Sequence, residues 1–298
     1  MTTSTRPAPL LALGLALISV VVWGISFVGT KRVLMELSPM TLSAARSAMG
    51  ALALIFLLLC QRRPVLPGPH QWRGVFVMAF FGIFMHFMLQ THGLTTTAAT
   101  HAGWLIGLIP LWTAAIAHIF YKEPLDRLQI AGLTLGFGGA LLVIGQGRPL
   151  AKVLVLPTAP GDLLVFLSTI NWAVYSLLGR STITALGAIR ATAVSMALGT
   201  AMLMPFVGGL ASVDQLAALS SVGWGWLFFL GLGCSAIGYA CWFAALDRAP
   251  AARVATVVYL EPLVAWATAA AILSEASAWA TLCGGALLLL GMYLSQRR

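Results

Sequence analysis

Charged residues are scarce in this sequence: Asp, Glu, Lys and Arg make up only 8% of its 298 residues, whereas 60% belong to the hydrophobic set. A typical globular domain carries about a quarter charged residues. A membrane-spanning helix needs about 20 apolar residues, so ten spans would use about 200 residues and leave room only for tails and short connections. The composition therefore excludes a water-soluble enzyme, a receptor ectodomain and a large ATP-hydrolysing module on this chain.

Motifs for catalysis and cofactor binding are also missing. The sequence has no G-x-x-x-x-G-K-[ST] phosphate loop, no H-E-x-x-H, no G-x-S-x-G and no dinucleotide-binding G-x-G-x-x-G after a strand. Its five histidines and four cysteines show no metal-ligand spacing. We therefore predict no catalytic residue, no cofactor and no metal, and we expect any energy to come from a gradient.

Acidic residues are few, with 8 Asp and Glu against 17 Lys and Arg, and the formal net charge is +9. In a soluble domain this balance would suggest nucleic acid. Here the basic residues stand singly or in pairs at the edges of apolar runs, as charges that flank membrane helices do. We therefore predict a lipid bilayer, and no nucleic acid, as the partner of this surface.

Apolar runs bounded by charge, Pro or Gly predict ten transmembrane helices. The predicted spans are Leu10–Thr30, Met40–Cys60, Trp72–His92, Ala98–Phe120, Leu128–Ile144, Leu163–Leu178, Ala191–Leu210, Val222–Leu246, Ala251–Leu273 and Trp279–Leu294. The longest connection is rich in proline and divides the chain into two halves of similar length. We expect a first five-helix unit at residues 1–146, a linker at 147–160 and a second five-helix unit at 161–298.

The first apolar run follows Arg6, as the core of a cleaved signal peptide would. It continues through Trp23 to Lys31 without a clear small-x-small cleavage site, which favours an uncleaved first span. With ten spans and a cytoplasmic amino terminus, twelve of the 17 basic residues fall on the cytoplasmic side and four on the other. The positive-inside rule therefore predicts that both termini are cytoplasmic.

The two halves repeat each other at an offset of 152 residues. The landmarks that coincide are Trp72 with Trp224, Leu94 with Leu246, Pro110 with Pro262, Glu123 with Glu275, and Gly132 with Gly284. Because each half holds an odd number of spans, the second half enters the membrane upside down relative to the first. Inverted repeats are typical of secondary transporters, in which two halves rock about a site near the bilayer midplane.

Five short motifs follow one another in order along nearly the whole chain. They are Trp23-Gly24-Ile25-Ser26-Phe27, Arg46 within the second span, Leu108-Ile109-Pro110 with Glu123, Asn171-Trp172-Ala173-Val174-Tyr175, and Leu260-Glu261-Pro262 with Glu275. Together they resemble the EamA family of the drug/metabolite transporter superfamily. The resemblance implies a ten-span carrier of the bacterial inner membrane that typically exports amino acids or other small metabolites. It does not identify the substrate, because the family is broad and its motifs mostly concern helix packing.

Glu261 is the most informative residue, because it lies about ten residues into a span with no basic neighbour one turn away. An ionisable group inside a membrane usually faces the bundle interior or a water cavity and marks an ion or substrate path. One hypothesis makes Glu261 a proton-exchanging or substrate-contacting acid; the other makes it a structural partner of backbone groups freed by Pro262. Arg46 is its natural counter-charge, although its long side chain can also reach headgroups or backbone carbonyls.

Aromatic and polar side chains recur at helical spacing on several spans and predict a mostly apolar cavity with a few polar groups. The candidate cavity-lining residues are Trp23, His86, Gln90, His101, Trp104, Asn171, Trp172, Tyr175, Tyr239 and Trp242. Indole faces suit aromatic or cationic ligands, but for any single ring packing or interfacial anchoring is favoured over ligand contact. Pro110 and Pro262 are predicted as hinges in the middle of equivalent spans.

These patterns predict an all-α polytopic membrane protein with two inverted five-helix repeats. The predicted function is ATP-independent secondary transport of a small metabolite by alternating access, with export and proton coupling as the favoured form. An intramembrane enzyme acting on a lipid-linked substrate is one alternative, but no convergent acid, base and nucleophile can be assembled. A passive channel is another, and it requires a continuous polar stripe. The sequence leaves the substrate, direction, stoichiometry and oligomeric state open.

Overall fold

The computed structural model describes residues 9–122, 126–145, 160–246, 248, 256–275 and 278–296, and every regular element in these ranges is helical. We label the main helices in chain order by their residue ranges: α1 9–33, α2 39–60, α3 72–96, α4 99–121, α5 127–145, α6 160–186, α7 188–203, α8 221–246, α9 256–273 and α10 279–296. Seven of them, α1 to α4 and α6 to α8, are long and apolar enough to cross a membrane. Helices α5, α9 and α10 contain shorter apolar stretches.

Local sequence signals set several helix starts. The Ser38 side chain accepts a hydrogen bond from the Thr41 backbone N–H, and Pro39 occupies the first turn of helix Pro39–Cys60. Ser220 caps the start of α8 in the same way by accepting from the Gly223 N–H at 3.0 Å. Serine caps and first-turn prolines satisfy or avoid the unpaired N–H groups of a helix start.

The predicted spans agree with the helices except at some ends. The predicted span Ala191–Leu210 is too long, because helix Ala188–Leu203 gives way to a 3₁₀ turn, Met204–Phe206, that contains Pro205. Gly209 then adopts a positive φ of 57°, and a separate short helix, Leu210–Ala217, follows. Helix Pro160–Leu186 is longer than the predicted Leu163–Leu178. Glu123 and almost all of the predicted linker lie outside the described residues.

Two of the helices contain π-helical segments, which the sequence did not predict. Helix α3 is built from Trp72–Ala79, the π segment Phe80–Met85 and His86–Thr96. Helix α8 is built from Ser221–Phe228, the π segment Phe229–Gly238 and Tyr239–Leu246. When its residue numbers are shifted by the offset of 152, the first π segment falls within the second. Each half therefore contains a widened helical turn at the equivalent position. Such segments within α-helices occur frequently at functional sites.

The sequence predicted that Pro110 and Pro262 lie in the middle of continuous helices. The structure instead places each of them near the start of a helical piece. Helix α4 consists of Ala99–Ile106 and Ile109–Tyr121, so Pro110 is the second residue of the second piece. Helix α9 consists of the 3₁₀ segment Thr256–Leu260 and the α-helix Glu261–Leu273, so Pro262 is again the second residue. Proline fits a first turn because its missing N–H has no partner there. Both helices are therefore interrupted just before their prolines.

The helix contacts follow the internal repeat. Helices α5 and α10 pack on each other, as do α2 and α7, and α4 and α9, so each of these six meets its own equivalent in the other half. Helix α1 packs against α8 and α9, and α6 packs correspondingly against α3 and α4. These are the contacts of a two-fold arrangement of equivalent halves.

Glycines allow the α5–α10 contact to be very close. A Cβ added at Gly139 would lie 2.5 Å from the Gly284 carbonyl oxygen, and one at Gly291 would lie 2.5 Å from the Gly132 carbonyl oxygen. The offset of 152 residues exchanges Gly132 with Gly284 and Gly139 with Gly291, so the two close approaches are equivalent. Small residues of this kind let membrane helices pack with their backbones in contact.

Candidate functional site

Aromatic side chains from α1, α6 and α8 contact one another. Trp23 lies with its ring centroid 5.5 Å from those of Tyr239 and Trp242 and 6.5 Å from that of Trp172. Trp172 in turn lies 5.2 Å from Tyr175 and 6.2 Å from Tyr239. We call these five residues the aromatic cluster. The structure thus brings together half of the ten residues that the sequence proposed for one cavity, and they come from both repeats.

The π segments hold this cluster through their backbone carbonyls. The Trp23 indole N–H donates to the Cys234 carbonyl at 3.1 Å, and the Asn171 side-chain amide donates to the Phe81 carbonyl at 2.7 Å. The Ser19 hydroxyl donates to the Gly238 carbonyl at 2.8 Å. Ser19 and Asn171 are equivalent under the repeat, so each half uses the same helix position to bind the π segment of the other. Sequence reasoning missed the partner of Asn171, because a π segment leaves no clear residue pattern.

Arg46 and His86 lie beside the aromatic cluster. The Arg46 guanidinium carbon is 4.8 Å from the centroid of the Phe87 ring, and the residue is only 6% exposed. The His86 ring is 4.7 Å from the ring of Trp172, with the residue 5% exposed. Within the described ranges, neither Arg46 Nε nor His86 Nδ1 has a hydrogen-bond partner. Gln90 follows His86 by one helical turn and is partly buried.

Glu261 begins the helical piece of α9 and is 6% exposed. Two glycines allow neighbouring helices to approach the backbone here. A Cβ at Gly24 of α1 would lie 3.1 Å from the Glu261 carbonyl oxygen, and one at Gly103 of α4 would lie 3.8 Å from the Pro262 carbonyl oxygen. The backbone at Glu261 therefore lies where α1, α4 and α9 meet, and the Glu261 carboxyl lies within electrostatic range of the Tyr239 hydroxyl.

Arg46 and Glu261 do not form the ion pair that the sequence suggested as one option. Over the described part of the chain, the ion pairs within 4.0 Å are Lys31 with Glu275 and His101 with Asp162. Arg46 and Glu261 both act electrostatically on Tyr239, so both charged groups lie within electrostatic range of the aromatic cluster. The sequence cannot reveal this separation, because it depends on how α2 and α9 are placed around α8.

His101 belongs to a second buried site. The sequence predicted His101 as a site residue but did not identify its partner. Its Nδ1 lies 3.3 Å from Oδ2 of Asp162, near the start of α6. Asp162 is 0% exposed, and its Oδ1 lacks a partner among the residues described. Asp162 is the third residue of helix Pro160–Leu186 and stands beside a linker in the sequence, where a carboxyl more often caps a helix than enters a core.

Trp104 does not join the aromatic cluster. Its ring packs against α10, where a Cβ added at Gly285 would lie 2.6 Å from the indole. Trp104 belongs instead to a core with Leu105, Leu108 and Leu288. This ring contributes to the contact between α4 and α10.

One end of the bundle is held by a carboxylate that caps a neighbouring helix. The two oxygens of Glu275, after α9, accept hydrogen bonds from the backbone N–H groups of Ala99 and Thr100 at 3.0 Å, and the Thr100 hydroxyl adds a third at 2.8 Å. Lys31 of α1 donates to the Thr97 carbonyl at 2.7 Å and lies 4.0 Å from Glu275. These contacts join α1, α4 and α9 at the end of α1 that contains Val33.

Comparison with known proteins places this architecture in one family. The EamA-like transporter family matches the chain twice, at residues 10–145 and at residues 159–296. A solved crystal structure superposes with a TM-score of 0.64 at 19% identity and covers 95% of each chain, which shows a shared fold.

Named relatives are similar over almost the whole length. An "Uncharacterized transporter" of Archaeoglobus fulgidus is 29% identical over 93% of this chain and 94% of its own. Proteins described as "Probable amino-acid metabolite efflux pump" in Salmonella typhimurium and Escherichia coli are 26% and 25% identical, each over 94% of this chain and 93% of their own. These relatives are named as transporters and not as enzymes. The chain is therefore a polytopic membrane protein of the EamA-like transporter family.

Proposed function

We propose that this protein exports a small metabolite, an amino acid or a related compound, across the bacterial inner membrane by alternating access. The observation that supports the proposal best is the aromatic cluster, which combines Trp23 of the first repeat with Trp172, Tyr175, Tyr239 and Trp242 of the second. A site between two inverted repeats is reached from opposite sides when the repeats rock against each other. Two relatives are named for efflux of amino-acid metabolites, which supports the same substrate class.

The interruptions in α4 and α9 are proposed as the hinges of this motion. Pro110 and Pro262 follow them at equivalent positions, and a helix that is already broken there needs to lose few backbone hydrogen bonds when it bends. Glycines on α1 and α4 contact the α9 backbone next to Glu261. A bend at Pro262 would therefore move Glu261 relative to the aromatic cluster.

Proton coupling is proposed to use Glu261. A carboxyl that is 6% exposed, with no ion-pair partner in the described ranges, can exchange a proton when a conformational change alters its access to water. The buried His101–Asp162 pair provides the comparison for any coupling measurement.

A metabolite-resolved uptake and efflux screen on purified protein in liposomes tests the transport proposal. We expect flux in the complete absence of nucleotide, with net accumulation against an imposed proton or solute gradient. Strict dependence on ATP hydrolysis, or no flux of any solute, would contradict secondary transport by this chain.

The proposed orientation places both termini in the cytoplasm. A cysteine-free background removes Cys60, Cys234, Cys241 and Cys283, and single cysteines are then introduced at Gly147 and Arg63. In intact cells, an impermeant thiol reagent should label position 147 from outside and position 63 only after permeabilisation. Labelling of both from one side would contradict the inverted arrangement.

A further inference from the structure

Arg46 is a buried charged side chain without a hydrogen-bond or ion-pair partner among the described residues. The residue is 6% exposed, and no described group accepts a hydrogen bond from its Nε. The described ion pairs do not include it, so no carboxylate lies within 4.0 Å of its guanidinium in the described chain. Its guanidinium lies over the face of Phe87, which supplies no hydrogen-bond acceptor.

The surroundings of Arg46 hold its helix firmly on both sides. Ser43, one turn before Arg46, donates to the Thr91 hydroxyl of α3 at 3.0 Å. Ser47, directly after it, accepts from the Thr200 hydroxyl of α7 at 2.8 Å and donates to the Ser43 carbonyl at 2.7 Å. These polar neighbours are therefore occupied with one another, and the backbone position of Arg46 is fixed between α3 and α7.

A buried guanidinium with no anion is costly in a membrane protein, because desolvation of a charge is repaid only by a close opposite charge and well-formed hydrogen bonds. Arg46 therefore requires an acceptor that comes from outside the described chain. Its planar fork of donors matches a carboxylate or a phosphate in a bidentate arrangement. A purely structural arginine would be expected to bond to backbone carbonyls of its neighbours, and the described helices offer Arg46 no such bond.

The groups next to Arg46 favour a carboxylate over a phosphate. His86 lies within electrostatic range of Arg46 and bonds to the Ser168 backbone, and its Nδ1 is without a described partner. Beyond His86 lies the ring of Trp172, followed by the rest of the aromatic cluster. A phosphate would call for several cationic groups, whereas the described side chains here supply one arginine beside apolar rings. The arrangement fits one negative charge attached to an apolar or aromatic body.

We propose that Arg46 binds the carboxylate of the transported substrate, and that the apolar part of the substrate lies against the aromatic cluster. This inference rests on the proposed transport function and specifies its substrate class: small monocarboxylates, including amino acids with apolar side chains. It also assigns different tasks to the two charges around Tyr239, because Arg46 recognises the substrate while Glu261 serves coupling.

Matched pairs of ligands test the carboxylate directly on the unmodified protein. L-leucine is compared with L-leucinamide, and L-phenylalanine with L-phenylalaninamide, as competitors of flux in liposomes and as ligands in thermal unfolding in detergent. We expect each acid to bind at least tenfold more tightly than its amide. Equal affinities within both pairs would overturn the assignment, and so would transport restricted to solutes that carry no carboxylate.

Variants then test whether Arg46 is the residue responsible. Arg46→Gln should remove the preference for the acid, and Arg46→Lys should reduce it, because lysine keeps the charge but loses the planar fork. Arg190→Gln is the control, since Arg190 bonds to the carbonyls of Val65 and Leu66 in a loop at a helix end. A preserved acid preference in folded Arg46→Gln would overturn the proposal. If Arg46→Gln does not fold, the acid–amide comparison on the unmodified protein decides.

The two levels of the proposal fail differently. Absence of flux for every solute in the metabolite screen would contradict the transport function itself. Flux without a preference for the carboxylate would leave transport intact and remove only the role of Arg46.

Discussion

The two repeats share a backbone arrangement but differ in their chemistry. Equivalent positions include the π segments of α3 and α8, the interruptions before Pro110 and Pro262, and the glycine contacts between α5 and α10. At the 152-residue offset, however, Arg46 corresponds to Leu198, His86 to Gly238, Glu261 to Ile109 and Trp172 to Val20. The repeat thus provides a symmetric framework, while Arg46, His86, Glu261 and Trp172 occupy positions where the halves differ.

Positions that hold the framework together change much less between the halves. Trp23 corresponds to Tyr175, and both are aromatic members of the cluster. Ser19 corresponds to Asn171, and both donate to π-segment carbonyls of the opposite half. An alternating-access carrier needs equivalent halves to open on either side, but it needs only one set of groups to bind one substrate. This difference gives a rule for predicting which substitutions affect stability and which affect transport.

The largest effect is expected at the contact between α5 and α10. In Gly139→Leu, the new Cβ meets the Gly284 carbonyl oxygen at 2.5 Å and the Leu288 backbone N at 2.8 Å, so the helices must separate. We expect the free energy of unfolding to fall by about 3 kcal/mol, as for severe overpacking. Thermal unfolding in detergent measures this loss.

The neighbouring Gly138→Leu is the matched control, because a Cβ at Gly138 meets nothing within 4 Å. Gly291→Leu, the equivalent of Gly139→Leu, should be as damaging as Gly139→Leu. Equal stability of the Gly138 and Gly139 variants would mean that this contact does not hold the repeats together.

The next effect concerns Glu261, which has no acidic counterpart at Ile109. Glu261→Gln keeps the side-chain shape but cannot exchange a proton, so the variant should still exchange substrate and lose its response to a pH gradient. With one proton per substrate, a gradient of one pH unit corresponds to about a tenfold accumulation, or 1.4 kcal/mol. Accumulation in liposomes should therefore fall from about tenfold to none.

Glu36→Gln serves as the control, because the Glu36 carboxylate accepts from the Ser220 N–H and hydroxyl at the start of α8 and lies outside the cluster. A structural role for Glu261 would give the opposite pattern: lower thermal stability, with the pH response retained in whatever transport survives. In that case His86 and the His101–Asp162 pair become the residues to test for coupling.

A smaller effect should distinguish Trp172 from Trp104, two residues that the sequence proposed for the same cavity. Trp172→Ala removes a ring in contact with Trp23, Tyr239 and His86, and we expect substrate affinity to weaken about fivefold, or about 1 kcal/mol. Trp104→Ala should lower thermal stability instead and leave affinity unchanged, because Trp104 packs against Gly285. Unchanged affinity in Trp172→Ala would reduce the aromatic cluster to a packing role.

The smallest effect is expected at the carboxylate that caps α4. Glu275→Ala removes three hydrogen bonds to Ala99 and Thr100, and water can replace part of them because the site is partly exposed. We expect a loss of about 1 kcal/mol in the free energy of unfolding, typical of a lost helix cap. An unchanged unfolding temperature would mean that solvent satisfies these N–H groups equally well.

The sequence predicted the helical membrane fold because that fold depends on composition and on apolar run length, which are local properties. It also predicted the repeat, and it selected Trp23, Trp172, Tyr175, Tyr239 and Trp242 from their helical spacing. It misplaced the end of α7 and treated α3 and α8 as regular helices. A π segment forms from packing between helices, so residues such as Phe80 to Met85 look like any other apolar run.

Side-chain partners were decided by the tertiary structure alone. His101 and Asp162 are 61 residues apart in sequence, and only the packing of α4 on α6 brings them together. The same packing separates Trp104 from the aromatic cluster and keeps Arg46 and Glu261 from pairing. The sequence by itself determined how many apolar helices form and which polar residues they carry, because burial in lipid acts on each segment independently. Which of these polar residues come into contact depends on the positions of the helices to within a few ångströms. Those positions are set by glycines, π segments and helix breaks acting together across the bundle.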